Sequence, residues 1–190
     1  ISGTGDVVQK VGEYTFTLPP TAFWQAHHQA LSTYSDLITQ WVTGGQYGVE
    51  PVGWDLYGGV GALVPALHHA LGNNSHIHSV ESARIMATSG QVTFGDDVHF
   101  HIGLVGNLVD TLPQPDVVVL DPPRVGAGAD VVTRIAARKP QRVIHIGCDP
   151  ATFATDIRAW SQAGYHVSDI VVVNAFPGTH HFETLGLLQP

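Results

Sequence analysis

The chain is poor in the residues that make covalent or metal cross-links. It has one cysteine and one methionine in 190 residues. A single cysteine cannot close an internal disulfide, and it excludes zinc or iron–sulfur sites built from several thiolates. Cations are scarce too. Lys and Arg number 8 against 16 Asp and Glu, a formal charge of −8, and a free-standing nucleic-acid binder usually presents a basic face instead. No apolar run approaches the ~20 residues that cross a bilayer, so no spanning helix and no membrane partner is expected. Only 13% of residues are charged while 44% are apolar, which excludes a disordered chain. Ile1 is not an initiator methionine and no signal-like segment follows it. The expectation is a trimmed or processed chain located in the cytoplasm.

What is present is a rhythm. Short β-rich apolar runs alternate with stretches that suit helices, the pattern of an α/β fold with a mostly parallel sheet. Strands are expected at about Pro51–Leu56, Ile77–Val80, His99–Ile102, Val117–Leu120, Arg142–Ile146, Ile170–Val173 and Leu185–Leu188. "VVVL" and "VIHI" do not alternate, as in strands buried on both faces. Helices are expected at about His27–Val42, Ala62–Leu71, Ser82–Ser89, Asp130–Arg138 and Ala151–Ala163. Asp149 can cap the last, Pro150 suits its first turn, and Gly164 can end it. Residues 1–20 fit this rhythm poorly. They are expected to be a strand or hairpin at the end of an upstream joining region, with one domain over residues 21–190.

Four motifs carry chemistry. "WDLYGGVG", Trp54–Gly61, follows a strand and opens a helix, and Glu81 lies 20 residues past Gly61. Glycines there admit close approach of a ligand, and an acid at that spacing suits ribose hydroxyls. A tight turn without a ligand is the plain alternative. "VVVLDPPR", Val117–Arg124, puts Asp121 at the carboxyl end of a parallel strand, where open α/β sheets bind ligands. Alone it is more often an ordinary strand-ending turn. "IHIGCDP" puts Cys148 between a strand and a helix N-terminus, a setting that favours thiolate, although a lone cysteine is usually a small buried hydrophobe. "FPGTHHFE", Phe176–Glu183, ends in a carboxylate. The histidine pairs at 27/28, 68/69, 76/78, 99/101 and 180/181 are scattered. They are taken as surface or core residues, and no metal site is expected.

In this order the motifs resemble the RNA uracil-5-methyltransferase family over about Phe16 to Leu188. That family shows a Phe-x-Gln segment, like Phe23-Trp24-Gln25, and a "DLYCGxG" loop, like "DLYGGVG". It also shows Val-Glu, like Val80-Glu81, and "LDPPR", identical to Leu120–Arg124. "SCNPxTLxxD" is matched by "GCDPATFATD", and "FPxTxHxE" by Phe176–Glu183. The resemblance implies a class I methyltransferase Rossmann-like fold, a seven-stranded mostly parallel sheet with helices on both faces. It implies S-adenosylmethionine as cofactor and a uridine of ribosomal or transfer RNA as substrate, flipped out of its stack. Cys148 would be the nucleophile and Glu183 the base. Gln25, Tyr57, Gly59, Gly61, Glu81 and Asp121 would hold the cofactor, and Asp121 and Arg124 would meet the substrate.

The chain departs from the pattern at Gly58, Ala62, Leu104, Asp149 and His27, four of these near the cofactor. It also lacks the N-terminal barrel and the iron–sulfur segment of many members. RNA is therefore expected to be gripped partly by a missing N-terminal domain, so that the acidic fragment binds RNA weakly alone. Competing schemes are a non-catalytic RNA-binding scaffold, a nicotinamide oxidoreductase, which has no use for the Asp-Pro-Pro loop, and an amino-methyltransferase, which needs no cysteine.

Overall fold

The computed structural model describes residues 5–179 and 181–190. His180, half of one histidine pair above, lies outside them. Two strands, β1 (Val7–Val11) and β2 (Tyr14–Leu18), form an antiparallel hairpin whose turn uses Gly12 at φ +56°. Seven further strands make the main sheet: β3 (Val52–Leu56), β4 (His76–Glu81), β5 (Val98–Ile102), β6 (Val117–Leu120), β7 (Arg142–Gly147), β8 (His166–Val173) and β9 (Glu183–Gln189). Their order is β5-β4-β3-β6-β7-β9-β8, and only β9 runs against its neighbours. The α/β sheet is seven-stranded and mostly parallel, as the apolar rhythm predicts.

β6 shows why its sequence does not alternate. Val117 and Val119 bury into one core with Tyr34, Ile38, Leu67 and Ile144. Val118 and Leu120 bury into another with Trp54, Val132, Ile135 and Trp160. Successive side chains point to opposite faces, so a strand covered on both sides must be apolar throughout. Helices α1 (Ala30–Thr43), α2 (Val64–Leu71) and α3 (Arg84–Phe94) contribute to the first core. The short α4 (Val105–Leu108), with α5 (Ala129–Ala137) and α6 (Pro150–Gln162), contributes to the second.

Some boundaries differ from the sequence expectation for identifiable reasons. α1 starts at Ala30, because His27–Gln29 form a turn in which the Gln29 amide donates to the His27 ring. α3 continues five residues past Ser89, through a glycine that ordinarily weakens a helix. A Cβ at Gly90 would lie 2.4 Å from the Phe100 ring, so this glycine is the close contact between helix and β5. β8 starts four residues before Ile170. Its polar opening is mostly exposed, as on a sheet edge, and a bulge lies between Val167 and Asp169. α6 has the punctuation expected of it: both Ala151 and Thr152 amides donate to Asp149 Oδ1 at 3.0 Å, and Gly164 follows at φ +92°.

The histidines divide by environment. His145 of β7 is fully buried. Its Nδ1 accepts from Trp160 Nε1 at 3.1 Å, so the ring proton lies on Nε2, which faces Asp156 at 3.4 Å. His78 ring-stacks on His99 and lies 3.0 Å, nitrogen to nitrogen, from His101. Burial, with the neighbouring rings, pushes His78 down to about 4.

The N-terminal hairpin packs into the first core. Phe16 is fully buried and its ring meets Trp24 and Phe94 at 5.8 Å. Phe16→Ala is expected to cost about 3–5 kcal/mol, read as a lower urea midpoint. Val8→Ala, on the exposed side of the same hairpin, should stay within about 0.5 kcal/mol.

Candidate active site

A parallel sheet delivers the carboxyl ends of its strands to one edge. Tyr57 follows β3, Glu81 ends β4, Asp121 follows β6 and Cys148 follows β7. β9 is reversed, so its first residue, Glu183, reaches the same edge, where it is paired with Val173 at the end of β8. Five residues singled out in the sequence, separated by as many as 126 positions, thus share one rim.

The glycine loop has the shape that its composition predicts. Gly59 and Gly61 have φ of +59° and +80°. A Cβ at Gly61 would lie 3.0 Å from both the Phe94 and the Phe100 rings. Tyr57 holds φ +60° without being a glycine, a conformation that costs about 1–2 kcal/mol. Backbone strain of this kind concentrates at functional sites. Gly58, which replaces the cysteine of the family loop, is closed to any side chain: a Cβ there would sit 2.2 Å from Asp55 Oδ2 and 2.4 Å from Ser79 Oγ. The loop is pinned from the next strand, since the Gly59 amide donates to Glu81 Oε2 at 3.0 Å. Glu81 Oε1 accepts the Ala83 amide at 2.5 Å.

A cavity lies between this loop and the segment before α1. Trp24, Gln25, Leu31, Tyr57, Gly59, Ala62, Met86 and Asp121 line it, with Asp55 at its floor. Glu81 and Gly61 do not line it; they shape the loop that does. Gln25 Nε2 donates to Asp121 Oδ2 at 3.0 Å across 96 residues, which joins the cavity to the Asp-Pro-Pro loop. Mostly apolar walls with a few convergent polar groups are the make-up of a small-molecule site.

Carboxylates set the electrostatics. Burial pushes Asp55 up to about 7, against a 3.0 Å hydrogen bond from Ser79 that favours its charge. Burial likewise pushes Asp121 up to about 6, opposed by Gln25. Glu183 is 3% exposed. Its carboxyl is pushed up to about 7 by burial and the nearby Asp121 charge, and Arg124 opposes the shift. The Cys148 thiol is raised, not lowered. Burial leads, Glu183 and Asp121 add to it, and Arg124 and a backbone hydrogen bond oppose it. The helix N-terminus expected to favour thiolate is therefore outweighed, and its first amides are already capped by Asp149.

The Cys148 turn is fitted to its neighbours. A Cβ at Gly147 would lie 2.9 Å from the Phe153 ring. The family has Ser and Leu at these two places. Here the smaller residue makes room for the larger. Asp156 of α6 accepts the Ala127 and Gly128 amides at 2.7 and 3.0 Å, and Thr152 Oγ1 donates to the Arg124 carbonyl at 2.9 Å. α6 thereby fixes the loop that carries Asp121 and exposed Arg124.

Sequence reasoning did not single out Asp55, Asp156 or Tyr34 of α1. Asp55 had a signal, an acid inside an apolar strand. Asp156 had one as well, since it closes the quoted "GCDPATFATD" match, whereas Tyr34 had none, since it sits on an ordinary apolar helix face. Leu104, one of the departures from the family pattern, is 62% exposed just before α4. Among the described residues no group of three or more His, Cys, Asp or Glu has an arrangement that could hold a metal, and no helix is long and apolar enough to cross a membrane.

Known proteins resemble this chain in sequence and in fold. The chain is 50% identical over 192 residues to an uncharacterized RNA methyltransferase of Corynebacterium efficiens, covering 98% of this chain and 45% of that one. It is 30% identical to an uncharacterized RNA methyltransferase of Thermotoga maritima, covering 96% and 41%. The chain thus spans about half the length of the curated relatives it matches. The fold matches that of the Pyrococcus abyssi tRNA (uracil-54, C5)-methyltransferase, solved with S-adenosyl-L-homocysteine, at a TM-score of 0.80 and 20% identity, covering 98% of this chain and 45% of that one. The family model for tRNA (uracil-5-)-methyltransferases matches residues 75–190, which contain Glu81, Asp121, Cys148 and Glu183, and the chain belongs to that family of RNA methyltransferases.

Proposed function

We propose that this chain is the catalytic domain of an enzyme that moves a methyl group from S-adenosylmethionine to carbon 5 of a uridine in ribosomal or transfer RNA, through a covalent bond between Cys148 and the uracil. The observation that carries this reading is the meeting of Cys148 and buried Glu183 at one edge of the sheet, beside Asp121 and the glycine-loop cavity. Residues 21–190 are taken as this domain and residues 1–20 as the end of a joining region.

The cavity fits the cofactor by its own chemistry. Gln25, Tyr57, Gly59 and Asp121 line it, Gly61 gives the loop its third positive φ after Tyr57 and Gly59, and Glu81, whose carboxylate here holds the Gly59 and Ala83 amides, is assigned to the ribose hydroxyls. S-adenosylmethionine, when bound, supplies an electrophilic methyl group. The chain's residues must make carbon 5 nucleophilic. Cys148 thiolate adds to carbon 6, and the displaced electron pair moves toward the carbonyl at carbon 4 as an enolate. Carbon 5 then takes the methyl group and carries both methyl and proton. Glu183 carboxylate removes that proton. The freed pair restores the 5,6 double bond and expels Cys148 as thiolate. Asp121 and Arg124 flank the uracil. Arg124 is the cation that opposes the upward shifts of both Cys148 and Glu183. The remaining half of the longer protein is proposed to grip the RNA, since this half carries −8.

Cys148→Ala should abolish incorporation of labelled methyl groups into RNA while S-adenosylmethionine binding by calorimetry stays within about twofold. Normal activity would sink the scheme. Glu183→Gln should trap a Cys148–RNA adduct, seen as a slow band on a denaturing gel. Absence of that band under turnover conditions counts against Glu183 as the base.

The wild-type rate should rise through about pH 7 as Glu183 loses its proton, and continue upward as thiolate accumulates above the ordinary thiol range. Stability carries the opposite sign. The folded pKa of Glu183 lies above its unfolded value, so its contribution is present at low pH and lost as pH rises to about 7. Glu183→Gln should therefore melt about 2–8 °C higher than wild type at pH 8, and the gain should vanish near pH 4. An equal gain at both pH values would contradict this account.

A further inference from the structure

Tyr34 sits on the second turn of α1, on the face that meets the sheet. Its ring is fully buried, in the core that contains Ile144 and Ile146 of β7 and Leu185 of β9. Those are the two strands that carry Cys148 and Glu183. Its hydroxyl is buried and has no hydrogen-bond partner among the described residues. Phenylalanine would fill the same space without stranding a polar atom, and buried tyrosine hydroxyls ordinarily have a partner.

One catalytic side chain is in the matching condition. Glu183 Oε2 is buried and also lacks a partner among the described residues. A donor without an acceptor and an acceptor without a donor therefore face the same side of the sheet, since Leu185, two residues past Glu183 on β9, lies in the core of Tyr34. The charges that the phenol senses, in decreasing order, are Glu183, Asp121 and Cys148. Together with burial, the largest cause, they push its ionisation far above the ordinary tyrosine value. The phenol stays protonated throughout the working range and is a constant O–H donor.

We infer that the Tyr34 hydroxyl is a positioning group for Glu183, donating to Oε2 through one bridging water. This rests on the reading of Glu183 as the base. One water satisfies both orphaned atoms. A hydrogen bond to the carboxylate favours its charged form, which is the form that accepts the uracil proton. It also holds the short carboxylate arm in one orientation during proton removal.

The test uses the full-length protein labelled with 13C at the glutamate carboxyls, with Glu183 assigned by its loss in E183Q. In Tyr34→Phe, the Glu183 midpoint should rise by about half a pH unit or more. The acid limb of kcat should move with it, while KM for S-adenosylmethionine stays within about twofold. RNA from a strain lacking the enzyme serves as substrate. As a converse measurement, 13Cζ-tyrosine placed at position 34 should change its resonance between wild type and E183Q. Superimposable Glu183 titrations overturn the inference. Should Tyr34→Phe not fold, an unmoved Tyr34 resonance overturns it. Failure of the base assignment is distinguishable: E183Q would trap no RNA adduct while Tyr34→Phe still moved the Glu183 titration.

Discussion

Three carboxylates, Asp55, Asp121 and Glu183, are held in poorly solvated positions near one edge of the sheet, each pushed toward neutrality by burial. The arginine ion pairs among the described residues lie elsewhere, at Arg134 with Asp110 and Asp130. Neutral hydrogen-bond donors hold two of the carboxylates instead, Ser79 on Asp55 and Gln25 on Asp121. Keeping partly charged acids out of water is unfavourable, and the cores on both faces of the sheet supply the stability that offsets it. The raised Glu183 carboxyl suits the role of base proposed for it. The same field raises the thiol of Cys148, so the titrations of Cys148 and Glu183 are coupled before any ligand arrives.

Rigid connections hold the rim in shape. The Gln25–Asp121 bond ties the chain before α1 to the end of β6. Glu81 ties the glycine loop to the end of β4. Asp156 ties the loop after Arg124 to α6. Each joins segments far apart in sequence, and each uses a carboxylate or an amide at a strand end or helix face. Local exchanges fit this frame. Gly147 and Phe153 differ from the family's Ser and Leu in compensating directions, and the Cys148 turn keeps its place.

Much of this was legible in the chain. Both-face burial could be read from "VVVL" and "VIHI", and the capping of α6 from Asp149-Pro150. The four motifs located the strand ends that carry the site. Parts were hidden for physical reasons. Gly90 looks like a helix breaker until Phe100 is seen against it. The polar opening of β8 hides a strand because an edge strand need not be apolar. The shift of Cys148 could not be read from the helix N-terminus beside it, because the opposing carboxylates come from β6 and β9. Tyr34 was invisible as a functional candidate, since its helix position predicts burial and gives no hint that the hydroxyl would be left unpaired.

The strand order has a consequence in time. β9 is the last strand in the chain, yet it lies between β7 and β8 rather than at an edge. Until it inserts, β8 has no neighbour in the sheet, β7 has an open flank, and Asp121 is the one carboxylate of the pair acting on Cys148 that is in place. A ribosome-bound chain that has emerged only as far as β8 therefore exposes its thiol at an unfinished rim. The closing strand completes the sheet and delivers Glu183 in one event, so both sides of the rim around Cys148 are finished together.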